Sequence, residues 1–306
     1  MIYLYYCQQM SKLANSIAKE QNYIRLGEIQ WDEFKDGFPN LRVKNVEAVR
    51  NKDIVFLASF DAPKEIFKQL AIIYEIPRFA VRSLKIVLPF YPTGTMESVT
   101  EEGEIATAAT LARMISAIPN TMSGPTQIII YDIHALQQRF YFSDSIIPRL
   151  ETAIPILKNR IRSLDNAAIA FPDEGAWKRF GAMFSEYSLI TCHKIRKNGK
   201  RIVTIKEGDP SGKHVIIVDD LVMTGGTLLE CKKVLFARGA SKVSAYVTHG
   251  VFPQESWTKF IEADFSFFWM TDSCPRTVEA IQTKVPFEVL SLSGCISEII
   301  LKAYNA

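Results

Sequence analysis

The chain has 306 residues, of which 48% are hydrophobic, 11% aromatic and 23% charged. Such fractions exclude disorder and fibrous repeats, and the length suits two domains of about 100–200 residues each. With 36 basic against 33 acidic residues the net charge is +3, which argues against a dedicated nucleic-acid or membrane-surface binder.

The first six residues, Met-Ile-Tyr-Leu-Tyr-Tyr, carry no basic stretch or small-residue cleavage site, so no signal peptide is expected. No apolar run approaches the roughly 18 residues of a membrane helix. Along the first half, Ile54–Ser59, Ser83–Leu88 and Gln127–Tyr131 read as buried strands, with helical spacing over Pro63–Tyr74 and Glu104–Ala117. Two prolines, Pro148 and Pro155, interrupt the pattern, which places a domain boundary near 150 and predicts domains 1–150 and 151–306. The rhythm then repeats. Ala167–Ala170, Leu189–Cys192, Val215–Val218, Val243–Val247 and Phe265–Met270 read as strands; Thr227–Arg238 and Glu255–Glu262 read as helices. Ile/Val-rich strands alternating with helices predict an α/β fold with two doubly wound parallel sheets. Lys194–Lys213 differs: rich in Lys, Arg and Gly, it reads as a mobile basic excursion between strands. The five cysteines are scattered without a Cys-x-x-Cys, so they read as small core residues of a cytoplasmic protein.

The chemistry concentrates in Val215-Ile-Ile-Val-Asp-Asp-Leu-Val-Met-Thr-Gly-Gly-Thr227. A buried strand runs into Asp219 and Asp220, and a short loop of Thr224, Gly225, Gly226 and Thr227 then opens a helix. Backbone N–H groups and two hydroxyls at a helix N-terminus suit a phosphate. The glycines let the backbone approach the anion, and paired acids suit sugar hydroxyls. No Gly-Lys-Ser/Thr follows, so the loop is not a Walker A motif. Asp173, at the end of an apolar strand, suits either a cation or a helix N-cap. Lys194 and Arg196, two apart at an extended strand end, point to one face; cations there would meet charge developing on a transferred phosphate.

The loop resembles the ribose-5-phosphate loop of the type I phosphoribosyltransferase fold. In order along the chain, Tyr131-Asp-Ile-His134, Phe171-Pro-Asp-Glu-Gly175, His193-Lys-Ile-Arg196 and Thr248-His-Gly250 resemble ribose-phosphate pyrophosphokinases (PRPP synthetases). The stretches Leu88–Thr95, Gly175–Arg179 and Pro286–Ser291 are most similar to the plant-type, phosphate-independent class. The resemblance implies transfer of the β,γ-diphosphoryl group of ATP to ribose 5-phosphate, giving PRPP and AMP. It implies that Lys194 and Arg196 are catalytic, and that Asp219, Asp220, Thr224, Gly225, Gly226 and Thr227 bind ribose 5-phosphate. It implies that Phe34, Asp36, Asn40, Thr95 and His134 bind ATP, and that His134 and Asp173 bind magnesium. A homo-oligomer is implied too, and the last helix is open to packing back on the first domain. Three departures from the phosphate-activated class stand out: Thr93-Gly-Thr-Met-Glu97, Phe38 and Met223. His249 is open to a place in the site or to a structural role. Two rivals are disfavoured: a phosphoribosyltransferase, by the doubled architecture, and a non-catalytic regulatory subunit, by retention of Lys194, Arg196, Asp219 and Asp220.

Overall fold

The computed structural model describes residues 1–96, 99–197 and 200–302, with backbone alone for 194–197 and 200–202. The chain divides into two compact units, one of residues 1–152 with 291–306 and one of residues 153–290.

The first unit is built on β1 (Ile2–Tyr6), α1 (Ser11–Glu20), β2 (Ile24–Leu26), β3 (Ile29–Glu33), β4 (Pro39–Val43), β5 (Asp53–Leu57), α2 (Pro63–Glu75), β6 (Ser83–Val87), α3 (Thr107–Ser116), β7 (Thr126–Tyr131) and β8 (Ile146–Glu151). Six strands pair in parallel in the order β2-β1-β5-β6-β7-β8. The run Asp-Ile-Val-Phe-Leu makes β5 a fully buried strand. Ile54 and Phe56 face a core with Ile86, Ile128 and Ile130, and alternation turns Val55 and Leu57 to the opposite face. Helices on both faces exclude water, so only the strand ends carry polar chemistry. β3 and β4 stand apart as an antiparallel hairpin. The C-terminal helix, Ser293–Lys302, belongs to this unit: Ser293 and Ser297 Oγ donate to the two carboxylate oxygens of Glu20 on α1, at 2.7 and 3.3 Å.

The second unit contains α4 (Ile154–Ile161), β9 (Ala167–Phe171), α5 (Glu174–Phe180), β10 (Ser188–Lys197), β11 (Lys200–Glu207), β12 (His214–Val222), α6 (Gly226–Ala237), β13 (Lys242–Gly250), β14 (Phe268–Thr271), α7 (Pro275–Ile281) and β15 (Phe287–Leu290). Its sheet runs β11-β10-β9-β12-β13-β14-β15, parallel except for β10 against β11. Strand β12 shows the layering directly. Val215 and Ile217 pack with Leu228, Cys231 and Leu235 of α6. Ile216 and Val218 pack with Leu157 of α4 and Phe180 of α5.

Two predicted elements differ in the structure. The excursion at Lys194–Lys213 is largely a β-hairpin, Lys194 opposite Val203 and Arg196 opposite Arg201. The period-two run Ile202-Val203-Thr204-Ile205 buries Val203 on the α6 side, and that apolar face outweighs the basic composition. The stretch predicted as a helix at Glu255–Glu262 is an irregular 3₁₀ segment, Pro253–Phe260, with Gln254 and Glu255 at left-handed φ.

At the start of β5, Asp53 makes a polar contact with the neighbouring β6 end. It accepts from Arg82 Nε at 2.9 Å, from a second Arg82 N–H, and from Ser83 Oγ at 2.6 Å. Arg82 first, then Ser83, hold its carboxyl below the usual range. A lowered carboxyl stabilises the fold above the unfolded-state value, and that contribution disappears as pH falls through the folded value. Because Arg82 is half exposed, Asp53→Asn should cost only about 1 kcal/mol near pH 7. The deficit should shrink toward pH 3, which urea unfolding across pH will measure.

Candidate active site

Strands β9 and β12 lie side by side, with Ala170 opposite Ile217, and both run toward the same edge. Beyond that pairing lie Asp173, Asp219 and Asp220. Asp173 caps α5, its Oδ1 accepting from Ala176 N at 3.0 Å. Asp219 Oδ1 accepts from Asp220 N at 2.9 Å, and Asp220 Oδ1 from Leu221 N at 2.8 Å. Arg179, near the end of α5, brings Nη1 to 3.5 Å from Asp220 Oδ2. Burial, the charge of Asp220 and the charge of Asp173 push the Asp219 carboxyl well above the ordinary carboxylate range. This crowding is what a divalent cation relieves. Among the described residues no cluster of three or more His, Cys, Asp or Glu side chains forms a metal cage. Carboxylates of this kind suit a hard cation that takes one or two of them and completes its shell with phosphate and water.

The loop after β12 is shaped from below. Gly225 takes φ +77°, and a Cβ there would lie 2.3 Å from the Phe260 ring. Ser256 Oγ donates to Met223 O at 2.8 Å, and Lys259 Nζ reaches Thr224 O at 3.4 Å. Thr224 and Gly226 are exposed and Thr227 is half-buried at the start of α6, so the loop's outer face is open to a ligand. The supporting residues Ser256, Lys259 and Phe260 come from the irregular segment. Nothing in their local sequence marks the role.

Lys194 and Arg196 lie on the backbone of β10, past its last parallel pairing at Thr191; their side chains fall outside the described residues. Lys206 on β11 pairs with Glu174 at the start of α5, Nζ to Oε1 2.7 Å. His249 is buried, and its Nδ1 lies 2.9 Å from Ser273 Oγ. That hydroxyl donates to Thr248 O at 2.9 Å, so its lone pair is left to accept from Nδ1–H. These contacts hold the Nδ1 side of the His249 ring against β13 and the turn after β14.

The residues expected to bind ATP lie at two places in the first unit. Thr95 and His134 are exposed on turns held against each other. Gly94 backs onto His134 and Gln138, and buried Gln138 donates through Nε2 to Gly94 O. Gln138 was not foreseen, because nothing in Leu136-Gln-Gln-Arg-Phe-Tyr141 distinguishes it from the adjacent Gln137. The second group is the β3–β4 hairpin. Asp36 Oδ1 accepts from Phe38 N at 3.1 Å and shapes the tip. Phe34 and Phe38, 55% and 64% exposed, line a groove of about 500 Å³ with Asn40, Phe67 and Phe79. An exposed aromatic beside an amide offers a stacking face and hydrogen-bonding groups.

A family model described as the N-terminal domain of ribose phosphate pyrophosphokinase matches residues 2–118. One described as the phosphoribosyl synthetase-associated domain matches residues 161–306. Over 306 residues the chain is 53% identical to ribose-phosphate pyrophosphokinase 4 of Arabidopsis thaliana, covering 97% of this chain and 91% of that relative. The chain belongs to the ribose-phosphate pyrophosphokinase family. Identity to the mitochondrial ribose-phosphate pyrophosphokinase 3 of Spinacia oleracea is 52%, over 96% of this chain and 75% of that one. It falls to 28% for the Mycoplasma genitalium enzyme, over 96% and 89%, so the chain is of the plant type. The crystal structure of phosphoribosylpyrophosphate synthetase from Mycobacterium smegmatis has the same fold. Its TM-score is 0.84 at 23% identity, with 99% of each chain covered.

The Gly225 geometry generates a prediction. Gly225→Ala adds a methyl group against Phe260 at a backbone conformation that disfavours it. It should destabilise the fold by about 2–3 kcal/mol, measurable as a lowered guanidinium midpoint, and weaken sugar-phosphate affinity with it.

Proposed function

We propose that the chain catalyses ribose 5-phosphate + ATP → 5-phosphoribosyl 1-diphosphate + AMP. The observation that carries the proposal is the acid pair and Thr-Gly-Gly-Thr loop at the end of β12, in a chain of this family. In this reading the N–H groups and hydroxyls of Thr224–Thr227 take the 5-phosphate at the helix N-terminus. Asp219 and Asp220 accept from the ring hydroxyls and aim the anomeric oxygen in line with the β-phosphorus of ATP. That oxygen attacks the β-phosphorus as its proton passes to solvent, the bond from the β-phosphorus to the oxygen bridging the α-phosphate breaks, and AMP departs with the electron pair. No separate general base is assigned; positioning and charge stabilisation carry the step.

Magnesium is the cation proposed; Asp173 in the second unit and His134 in the first are the residues that would bind it, and it would supply charge neutralisation on the phosphates. Phe34, Asp36, Asn40 and Thr95 are the proposed nucleotide contacts. Lys194 and Arg196 are assigned to charge building on the transferred and leaving phosphates. We assign the protein to a homo-oligomer, on the resemblance drawn from its sequence. A reducing compartment, the cytoplasm, suits its five free cysteines, while curated relatives include mitochondrial and chloroplastic forms. No described helix is long and apolar enough to cross a membrane.

The deciding assay incubates the pure protein with ATP, magnesium and ribose 5-phosphate. AMP and phosphoribosyl diphosphate should form one to one; ADP, or no turnover, overturns the proposal. Lys194→Ala should lower kcat by at least about 100-fold while ribose 5-phosphate binding, followed calorimetrically, stays near the parent value. Unchanged kcat would remove Lys194 from the mechanism.

A further inference from the structure

The two acids at the end of β12 are not equivalent, and the difference is imposed by a residue that the proposed reaction does not yet use. Asp220 is buried, its side chain 8% exposed, and Arg179 beside it is 13% exposed. Each oxygen of the Asp220 carboxylate meets a group of the protein. Oδ1 accepts from Leu221 N at 2.8 Å, and Oδ2 faces Arg179 Nη1 at 3.5 Å. Contacts at opposite oxygens restrain a carboxylate that would otherwise rotate about its Cβ–Cγ bond. The guanidinium itself is steadied, its centre 5.0 Å from the Phe180 ring centroid. Asp219 has a different setting: it is half-buried, and its Oδ1 accepts from Asp220 N. Helix α5 thus sends Asp173 from its cap and Arg179 from its last turn toward the same acid pair.

We infer that Arg179 is a positioning residue for the sugar: by pinning the Asp220 carboxylate it makes the acid pair select sugar phosphates that carry both ring hydroxyls. The inference rests on the reading that Asp219, Asp220 and the Thr224–Thr227 loop bind ribose 5-phosphate. The physical argument is one of compliance. The furanose ring fixes where the vicinal hydroxyl oxygens stand while each O–H rotates about its C–O bond, so an acceptor detects a missing hydroxyl only when it cannot itself reorient toward another donor. A pinned acceptor in a buried setting is left unpaired by a deoxy sugar, and the sugar is rejected. A swinging acceptor reorients and finds another donor, such as water. Arg serves this purpose better than Lys, because its planar fork sets direction as well as charge.

The test compares ribose 5-phosphate with its 2-deoxy and 3-deoxy analogues in the full-length protein, with ATP and magnesium, for Arg179→Met and Arg179→Lys. Arg179→Met should raise KM for ribose 5-phosphate by about 10–100-fold, the scale of removing one partner of a buried ion pair. The KM for ATP and kcat should stay near the parent values. The preference in kcat/KM for ribose 5-phosphate over at least one deoxy analogue should collapse. Arg179→Lys should keep the charge and recover part of the KM, but not the full preference. A general packing role would lower activity on all three sugars alike and leave their ratios intact; that result overturns the inference, as does an unchanged KM. If Arg179→Met does not fold, the ratios of Arg179→Lys decide: unchanged ratios overturn it. Asp220→Asn, run in parallel, separates the two levels. If it too leaves the sugar KM and preference unchanged, the site reading fails. If it loses them while both Arg179 variants keep them, only the role of Arg179 fails.

Discussion

Everything in the second unit depends on the burial of strand β12. From His214 to Val218 each side chain is enclosed, alternate residues facing α6 on one side and α4 and α5 on the other. Such a strand has no room for chemistry along its length. Its first places for polar groups that meet a ligand are where the covering helices end, and there Asp219, Asp220 and the Thr-Gly-Gly-Thr loop stand. Neighbouring β9 follows the same rule and delivers Asp173 to the same edge. Parallel pairing thus turns residues far apart in sequence into one cluster without any loop having to search for the others.

The cluster is electrostatically unfavourable as it stands. Asp219 is held above the ordinary carboxylate range by burial and by the charges of Asp220 and Asp173. The structure offsets part of this with Arg179 and with backbone N–H groups at each acid. What remains is negative potential where the proposed reaction brings a cation and sugar hydroxyls, so the repulsion built into the fold becomes binding free energy when the substrates arrive. The loop beyond is held open by the same logic of support from beneath. Phe260 fills the space a Cβ on Gly225 would need, and Ser256 fixes the carbonyl of Met223. The departure at Met223 therefore leaves the backbone path of the loop intact, as its carbonyl and not its side chain is the anchored group.

How much of this was legible in advance differs by element. Buried strands such as Ile54–Leu57 and Val215–Val218 announce themselves by unbroken Ile, Val and Phe, a signal that needs no partner. The hairpin β10–β11 does not. Its Lys and Arg composition reads as a solvated loop, and its strand character comes from Val203 packing against residues of α6 distant in sequence. Gln138 and Ser256 were likewise invisible, because a hydrogen bond to Gly94 O or Met223 O exists only after two turns meet.

By itself the sequence determined the α/β class, the rhythm of its two halves and the acid-pair loop that resembles a sugar-phosphate site. These rest on local patterns, namely hydrophobic period, turn residues and a contiguous motif. The tertiary structure decided that Asp173 comes to the edge of Asp219 and Asp220, that Arg179 pairs with Asp220, that His249 is a buried partner of Ser273, and that the final helix belongs with α1. Those are relations among side chains tens to hundreds of residues apart. They depend on strand order and helix packing, which local periodicity does not encode.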